Sequence, residues 1–332
     1  MPAKFCWNWG RSRKPAARWR LLVPPKTPLD PAFADFEQGH AGFGSGYVWE
    51  QLALPRRAEA PLLNLCNLAP VAVRRQIVCL HDANVFAMPE AYSRGFRAAY
   101  GVLLPLLARR AAQVTSVSRF SARQLARFLP MGHKTIVVLP NGHEHVFRWN
   151  AENSLWRGKV ADRRPYILVI GSRAPHKNVG LILGLAADLD DLGVDVIVAG
   201  GGGRIFGGET RAEAKNVAFV GHVGDDDLAA LMEKALALAF PSITEGFGLP
   251  IIEAMALSCP VVSSNRASMP EVCGAAALMA DCDDPQAWLA HFKALRQSRD
   301  LRADLIGAGR ERVKRFSWAD SAVGYFQLLE SL

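Results

Sequence analysis

The feature that most constrains the fold is a repeated alternation of short apolar strands and helices in the second half of the chain. Strands rich in Val, Ile and Ala are predicted at 166–171, 194–199, 217–220, 237–240, 260–263 and 277–279, and helices near 178–192, 225–235, 250–257, 285–298 and 301–315. Apolar runs of this length are typical of parallel strands covered by helices on both faces. The pattern predicts a doubly wound α/β domain, in which ligands bind beyond the carboxyl ends of the strands.

The first half shows a similar but less regular pattern. Strands are predicted at 18–25, 61–66, 75–82, 113–118 and 134–142, and helices at 47–58, at 93–111 and after Ser118, whereas the Pro-, Gly- and Phe-rich segment 26–46 is predicted as a loop. A length of 332 residues favours two domains. We predict a first Rossmann-like domain at 1–150, a linker at 151–165, a second at 166–315, and a C-terminal helix at 316–332 that crosses back to the first domain.

Composition and charge limit the classes of function. The net charge is +8, and residues 1–20 hold six Lys or Arg, three Trp and no acid, a pattern that fits a peripheral membrane contact or a solvated tail. No nucleic-acid-binding signature is present, so nucleic acid is not an expected partner. The six cysteines lack disulfide-like or CxxC spacing, and neither a membrane span nor a signal peptide is visible, which together predict a cytoplasmic protein with reduced core cysteines.

The sequence GSRAPHKN at 171–178 follows a predicted strand and precedes a predicted helix. A helix N-terminus attracts anions, and Arg173 and Lys177 add full positive charges nearby. The segment therefore predicts a diphosphate site, although a solvated basic loop explains two such residues about as well. The four glycines after position 199 do not form a dinucleotide fingerprint and are predicted as a flexible surface loop.

A second candidate segment, TEGFGLPIIEAM at 244–255, holds Glu245 and Glu253 in an apolar part of the chain. Glu253 is predicted in the first turn of a helix, where the helix dipole alone would explain a carboxylate. That explanation does not cover Glu245, which precedes a Gly-Phe-Gly turn. Carboxylates accept hydrogen bonds from adjacent sugar hydroxyls, so two of them near a basic diphosphate loop predict a site for a sugar nucleotide.

These motifs together resemble the family-4 retaining glycosyltransferases of the GT-B fold, whose hallmark is a Glu, seven residues and a second Glu. The first half resembles a bacterial mannosyltransferase branch through WEQLALP, IVCLHDANVFAMPE, VTSVSRFSARQLARFL and VVLPNGHEHVF. The resemblance covers about residues 47–318. It implies a GT-B architecture of two doubly wound Rossmann-like domains with parallel sheets facing across a cleft.

The resemblance also implies roles for particular residues. Glu253 would bind the nucleotide ribose and Glu245 the donor sugar, while His81 would face that sugar from the first domain. The sugar and phosphates would be surrounded by the segment Gly246, Phe247, Gly248 and Leu249, the diphosphate would be held by Lys177 and Arg173 beside Gly171, and the base would be lined by His222 and Val223.

The implied reaction is metal-independent, retaining transfer of a hexose such as mannose. The donor would be a GDP- or UDP-sugar, with no separate cofactor, and the acceptor a glycan or lipid-linked saccharide of a bacterial surface polysaccharide. The sequences Asp188-Leu189-Asp190 and Asp281-Cys282-Asp283 are predicted as a helix end and a loop rather than metal sites. The family's opening strand and glycine-bearing loop are not found in the N-terminal residues, so a first βα unit is predicted to be missing. That departure keeps two alternatives open, a non-catalytic sugar-nucleotide-binding scaffold protein and a GT-B epimerase.

Overall fold

The computed structural model describes residues 20–29, 33–34, 36–57, 61–161, 163–171, 174–201 and 214–332. The chain divides into two compact units: unit 1 is Met1–Asn141 with Trp318–Leu332, and unit 2 is Gly142–Ser317. The segment predicted as a linker, 151–165, lies inside unit 2 and carries the short helices Ala151–Asn153 and Arg157–Ala161. Polar side chains of this segment form hydrogen bonds within unit 2. For example, the Ser154 hydroxyl donates to Asp227 at 2.7 Å.

Unit 2 contains a six-stranded parallel sheet. Its strands are β7 (Tyr166–Ile170), β8 (Asp195–Ala199), β9 (Val217–Gly221), β10 (Ala237–Phe240), β11 (Val261–Ser264) and β12 (Leu278–Ala280), all close to the predicted positions. Their order across the sheet is β9-β8-β7-β10-β11-β12. The direction of winding reverses between β7 and β10. In doubly wound sheets this switch point opens a crevice at the carboxyl ends of the strands, where ligands bind.

Helices cover the sheet of unit 2. Their bounds are Glu144–Arg148, Pro175–Lys177, Val179–Gly184, Ala186–Asp191, Asp225–Lys234, Leu249–Ala256, Met269–Cys273, Pro285–Gln297 and Arg299–Val313. The predicted helix 178–192 is thus interrupted at Leu185, whose φ and ψ of −91° and 3° are not helical. Apolar side chains of the strands pack with Trp288 and Phe292 in a core with almost no solvent exposure. Burial of this kind is the main stabilising term for the unit.

Unit 1 contains two smaller sheets in its described part. β1 (Arg20–Val23) pairs in parallel with β2 (Glu37–His40), and a second parallel sheet has the order β3 (Leu62–Asn64), β4 (Gln76–Cys79), β5 (Gln113–Ser116) and β6 (Val137–Val138). The prediction of a loop throughout 26–46 is wrong at β2, because Glu-Gln-Gly-His has no apolar alternation to indicate a strand. The strand predicted over 134–142 is limited to two residues.

The helices of unit 1 bury the second sheet. Their bounds are Gly46–Val48, continuing as Trp49–Ala53 and Leu54–Arg56, then Asn84–Ala87, Pro89–Ala91, Arg94–Arg110, Arg119–Phe128 and Trp318–Glu330. The last, which we call the C-terminal helix, joins the sheet through a hydrogen bond of 3.0 Å between the Tyr325 and Thr115 hydroxyls. Among the described cysteines, Cys66 is exposed and Cys79, Cys259, Cys273 and Cys282 are buried. No helix in the described part of the chain is both long and apolar enough to cross a membrane.

Candidate functional site

Lys177 and Glu245 meet at the switch point of unit 2. Lys177 ends the turn that follows β7, Glu245 lies in the loop that follows β10, and the two strands are neighbours. A backbone hydrogen bond from Ile243 N to His176 O, 2.7 Å long, holds the two loops together. The Lys177 Nζ atom lies 2.6 Å from Oε1 of Glu245. The structure therefore brings together the predicted diphosphate cation and the predicted sugar-binding carboxylate.

The ion pair is only partly shielded from water. The exposed fractions of the Lys177 and Glu245 side chains are 24% and 15%, and the Lys177 Nζ atom lies 5.8 Å from the centre of the Phe240 ring. An ion pair in such a partly apolar place is stronger than one in bulk water. A ligand with a phosphate beside a hydroxyl group can nevertheless reach both members of the pair.

The loop from Glu245 to Gly248 is held by its backbone. The Ser268 hydroxyl lies within hydrogen-bonding distance of the carbonyl oxygens of Glu245 and Phe247, at 2.9 and 3.0 Å. The Phe247 ring is buried edge-on against Phe316, so its main chain rather than its ring is available to a ligand. Gly248 has a φ of 94°, a left-handed value that favours glycine, and it begins the helix Leu249–Ala256.

Glu253 is buried in that helix and paired. It is the fifth helical residue, so the prediction that it lies in the first turn is wrong. Only 4% of the residue is exposed, and its Oε1 atom lies 2.7 Å from Nε2 of His145. The helix dipole acts mainly within the first turn. It therefore does not explain this carboxylate, which depends on a specific hydrogen-bond partner instead.

The remaining predicted residues of unit 2 follow the carboxyl ends of its strands. Gly171 follows β7 and packs closely on the next helix, since an added Cβ would lie 2.3 Å from Cγ2 of Val179. His222 is exposed and Val223 half-buried after β9, the edge strand. Leu249, the first helical residue, is half-buried, whereas Gly246 is buried. Arg173 lies outside the described residues. The roles of these residues toward a ligand stay predictions.

The two Asp-x-Asp sequences are engaged by arginines. Asp190 accepts a hydrogen bond from Arg164 at 2.7 Å. Asp281 and Asp283 both pair with Arg266. In each case the carboxylate is at least partly exposed and its partner is a nearby arginine.

His81 occupies a different site, at the carboxyl end of β4 in unit 1. Its Nε2 atom lies 2.6 Å from the Leu65 carbonyl oxygen, and its backbone N–H donates to the Asn67 side chain. Burial by itself lowers the pKa of His81, but the hydrogen bond and charge interaction with Cys79, the Leu65 carbonyl and the Asp82 charge together raise it to about 9. The imidazole is therefore held in place and charged near neutral pH. Its role toward a donor sugar stays a prediction.

A small cleft, open to solvent on one side, lies beside His81 within unit 1. Its lining is mostly apolar and comes from the strand ends and the C-terminal helix: Leu65, Cys79, His81, Val117, Leu139, Asn141, Trp318 and Tyr325. The Cys79 thiol is hydrogen-bonded to His81, Tyr325 and Thr115. Sequence reasoning treated Cys79 as an inert core residue and did not identify Tyr325.

His145 is the main residue that sequence reasoning missed in unit 2. It lies in the sequence HEHVF after the Asn-Gly turn, near the end of the predicted first domain and before the stretch predicted as a linker. Two histidines around an acid, just before an aromatic residue, were the only local signal. Nothing in the chain between positions 145 and 253 indicates that the two side chains meet, because the contact depends on the tertiary fold.

Comparison with known proteins identifies the family to which the chain belongs. Residues 150–312 match the family described as glycosyl transferases group 1. The chain is 30% identical over 269 residues to O-antigen chain mannosyltransferase B of Escherichia coli, an alignment covering 75% of this chain and 68% of that protein. It is 28% identical over 232 residues to O-antigen chain mannosyltransferase RfbU of Salmonella typhimurium, covering 69% of this chain and 63% of that protein.

Solved structures show the same fold. Anabaena HepE, in complex with UDP and glucose, aligns with a TM-score of 0.75 at 18% identity, over 100% of this chain and 95% of that one. Sucrose-phosphate synthase from Thermosynechococcus elongatus aligns with a TM-score of 0.63 at 21% identity, over 77% of this chain and 67% of that one.

The fold is that of the GT-B proteins. The chain belongs to the group 1 glycosyltransferase family. The predictions of family, fold class and enzyme class are therefore confirmed.

Proposed function

We propose that the chain transfers a hexose from a nucleoside diphosphate sugar to a glycan or lipid-linked acceptor, with retention of configuration and without a metal ion. The observation that carries the proposal is the Lys177–Glu245 pair at the switch point of unit 2, followed by the buried Glu253. A cation, a partly exposed carboxylate and a buried carboxylate match the three parts of such a donor: diphosphate, sugar and ribose.

The donor would use these groups in order. The ribose hydroxyls bond to Glu253, as a carboxylate holds ribose in dinucleotide sites. A phosphate oxygen accepts a hydrogen bond from Lys177, because the ammonium group has three donors and one carboxylate oxygen does not saturate it. The Glu245 carboxylate, which has two oxygens, accepts a hydrogen bond from a hydroxyl of the sugar. Crystal structures of Anabaena HepE with UDP and with UDP-glucose support a donor of this class.

Catalysis follows from charge development. The bond between the sugar C1 and the phosphate oxygen breaks, the C1 centre becomes oxocarbenium-like, and negative charge grows on the departing diphosphate. Lys177 stabilises that charge, which lowers the barrier only if the interaction strengthens in the transition state. The acceptor oxygen bonds to C1 from the face that the phosphate leaves, and its proton passes to a phosphate oxygen. No second carboxylate nucleophile is required in this scheme.

Mannose is the sugar that we propose, with a growing surface polysaccharide as acceptor. Both relatives with the longest alignments are called O-antigen chain mannosyltransferases. The chain spans 68% and 63% of their lengths, so this finer assignment is a proposal to be tested directly.

The test combines binding and turnover on the full chain. Calorimetry with GDP and UDP measures which nucleotide binds, and incubation with GDP-mannose and UDP-glucose, with and without a mannosylated lipid acceptor, measures transfer and hydrolysis. Proton NMR of the product reports the anomeric configuration, and an excess of chelator reports any need for a metal.

Each outcome has a defined meaning. Tight nucleotide binding with retained configuration in chelator supports the proposal. Binding without hydrolysis or transfer favours the scaffold protein, and interconversion of the donor sugar without acceptor favours the epimerase. Glu253→Ala should weaken nucleotide binding, whereas Glu233→Ala, which removes an exposed acid on a neighbouring helix of the same unit, should not. Unchanged affinity in Glu253→Ala would contradict the ribose assignment.

A further inference from the structure

His145 and Glu253 form a buried side-chain pair within unit 2. The His145 Nε2 atom lies 2.7 Å from Oε1 of Glu253, and the exposed fractions of the two side chains are 1% and 6%. Carboxylates are seldom buried to this degree without a partner that compensates for lost hydration. The hydrogen bond between the two side chains therefore belongs to the folded interior of unit 2 and is not a surface contact.

The pair connects distant parts of the sequence. His145 lies in the short helix Glu144–Arg148, which begins unit 2, and Glu253 lies in the helix Leu249–Ala256. The His145 ring packs edge-on against Trp149, with 5.5 Å between ring centres. Trp149 and Leu257, the residue that follows the Glu253 helix, both pack against one small apolar cluster. The imidazole therefore lies against a packed part of the unit that also contacts the end of the helix that carries the carboxylate.

The chemistry of the pair makes it suited to orienting a carboxylate. A carboxylate oxygen accepts, so the Nε2 atom of His145 must carry a hydrogen, as it does in one neutral tautomer and in the imidazolium ion. The hydrogen bond thus persists in both protonation states of the histidine. Fixing one carboxylate oxygen determines the plane and direction of the other, in the same way that a triad carboxylate orients its histidine.

We infer that His145 is a positioning residue for nucleotide recognition, which holds Glu253 so that its carboxylate is aimed at the ribose hydroxyls. The inference rests on the proposed ribose role of Glu253. It assigns a function to the segment after the Asn-Gly turn, which would otherwise serve only to begin unit 2. It also predicts that the contribution of His145 is specific for ligands that carry ribose hydroxyls.

The experiment compares a nucleotide with its 2′,3′-dideoxy analogue. The probe is GDP or UDP, whichever the wild-type chain binds more tightly, and affinities are measured by calorimetry. Loss of a single hydrogen bond to a charged group typically weakens binding roughly 10- to 100-fold, so the wild type should bind the dideoxy analogue at least about 10-fold more weakly. The ratio of the dissociation constant of the analogue to that of the nucleotide measures ribose recognition, and we call it the ribose ratio or simply the ratio.

Two substitutions at position 145 separate positioning from packing. His145→Gln keeps an N–H donor and should retain most of the ratio. His145→Phe keeps a ring against Trp149 but has no donor, and its ratio should fall toward one through weaker binding of the nucleotide, with little change for the analogue. His291→Ala is the control, since His291 is a half-buried histidine of unit 2 bonded to the Met279 carbonyl oxygen, and its ratio should be unchanged.

The outcomes distinguish this inference from the proposed function. If Glu253→Ala lowers the ratio and neither His145 variant does, His145 does not position the carboxylate and the inference is overturned. Retention of the ratio by His145→Phe but not by His145→Gln assigns His145 to packing alone, which also overturns it. If Glu253→Ala leaves the ratio intact, the ribose assignment itself fails. Should His145→Phe not fold, His145→Gln decides alone, because loss of its ratio contradicts the inference.

Discussion

The two units place side chains of different chemistry at the carboxyl ends of their parallel strands. In unit 2 the strand ends hold the ion pair of Lys177 with Glu245, and the helix that follows holds Glu253 hydrogen-bonded to His145. In unit 1 the corresponding edge of the second sheet holds a mostly apolar cleft, with His81 bonded to a carbonyl oxygen and a thiol. Only the unit 2 sheet reverses its strand order within the described residues.

The net positive charge of the chain lies in the other unit, unit 1, which does not hold Lys177. Unit 1 has 19 Lys and Arg against nine Asp and Glu, whereas unit 2 has 20 against 22. The positive excess of the chain therefore lies in unit 1, although the cation proposed to bind diphosphate lies in unit 2. The proposed phosphate site is thus placed by the reversal of strand order and by the position of Lys177, not by the net charge of its unit. Bulk charge instead governs long-range attraction.

Removing the cation of unit 2 should have the largest effect. In Lys177→Ala, the growing charge on the leaving diphosphate loses the full positive charge of Lys177, and we expect the transfer rate to fall roughly 10²- to 10³-fold. Nucleotide affinity should change much less. Lys293→Ala removes an exposed lysine of the same unit and should leave the rate unchanged. A normal rate in Lys177→Ala would show that the site of unit 2 is not the reaction centre.

Titration of His81 tests whether the site of unit 1 is held by a charged imidazole. Its pKa is raised to about 9 from an ordinary value near 6.5. Burial raises the pKa of the Cys79 thiol, but the interactions with His81 lower it below its ordinary value overall, so the folded and unfolded chains bind similar numbers of protons near neutral pH. The stability advantage of the wild type over His81→Gln should therefore be lost as the pH rises through about 9. Urea unfolding from pH 5 to 10 measures this difference. An advantage that stays constant through pH 9 would contradict the prediction, and Cys79→Ala should move the loss to lower pH.

Close packing at the switch point gives a smaller effect on stability. An added methyl group at Gly171 would collide with Val179, and overpacking of this kind costs about 1–3 kcal/mol. Gly171→Ala should lower the free energy of unfolding accordingly. Gly180→Ala, on the exposed side of the next helix where a Cβ meets nothing within 4 Å, should be neutral or stabilising. Equal effects of the two substitutions would indicate that the turn after β7 relaxes freely.

Single buried hydroxyl groups should have the smallest effects. Tyr325→Phe removes the hydrogen bond to Thr115 in unit 1, and Tyr166→Phe removes a bond to the Leu231 carbonyl oxygen in unit 2. Each bond should contribute about 0.5–1.5 kcal/mol. Hydrogen exchange should quicken in β5 for the first variant and in β7 for the second. A much larger loss of unfolding free energy in Tyr325→Phe would show that docking of the C-terminal helix depends on the Tyr325 hydroxyl.

Much of the fold was readable from the chain because it is encoded locally. The strands of unit 2 are continuous apolar runs separated by helices, and all six lie where the pattern predicts them. Capping was equally local, since Ser118 begins its helix as expected. The weakest predictions were β2 and β6, because neither strand is long or apolar enough to show a period of its own.

The sequence by itself determined the parallel α/β class, the order of strands and helices along the chain, and the identity of the two glutamates and the lysine of the candidate site. Only the tertiary structure decided which strands are neighbours, that Lys177 bonds to Glu245, and that Glu253 is buried against His145. Periodicity and capping act over a few residues and are therefore visible in sequence. Contacts between residues 68 and 108 positions apart depend on strand order and helix packing, which no local pattern specifies.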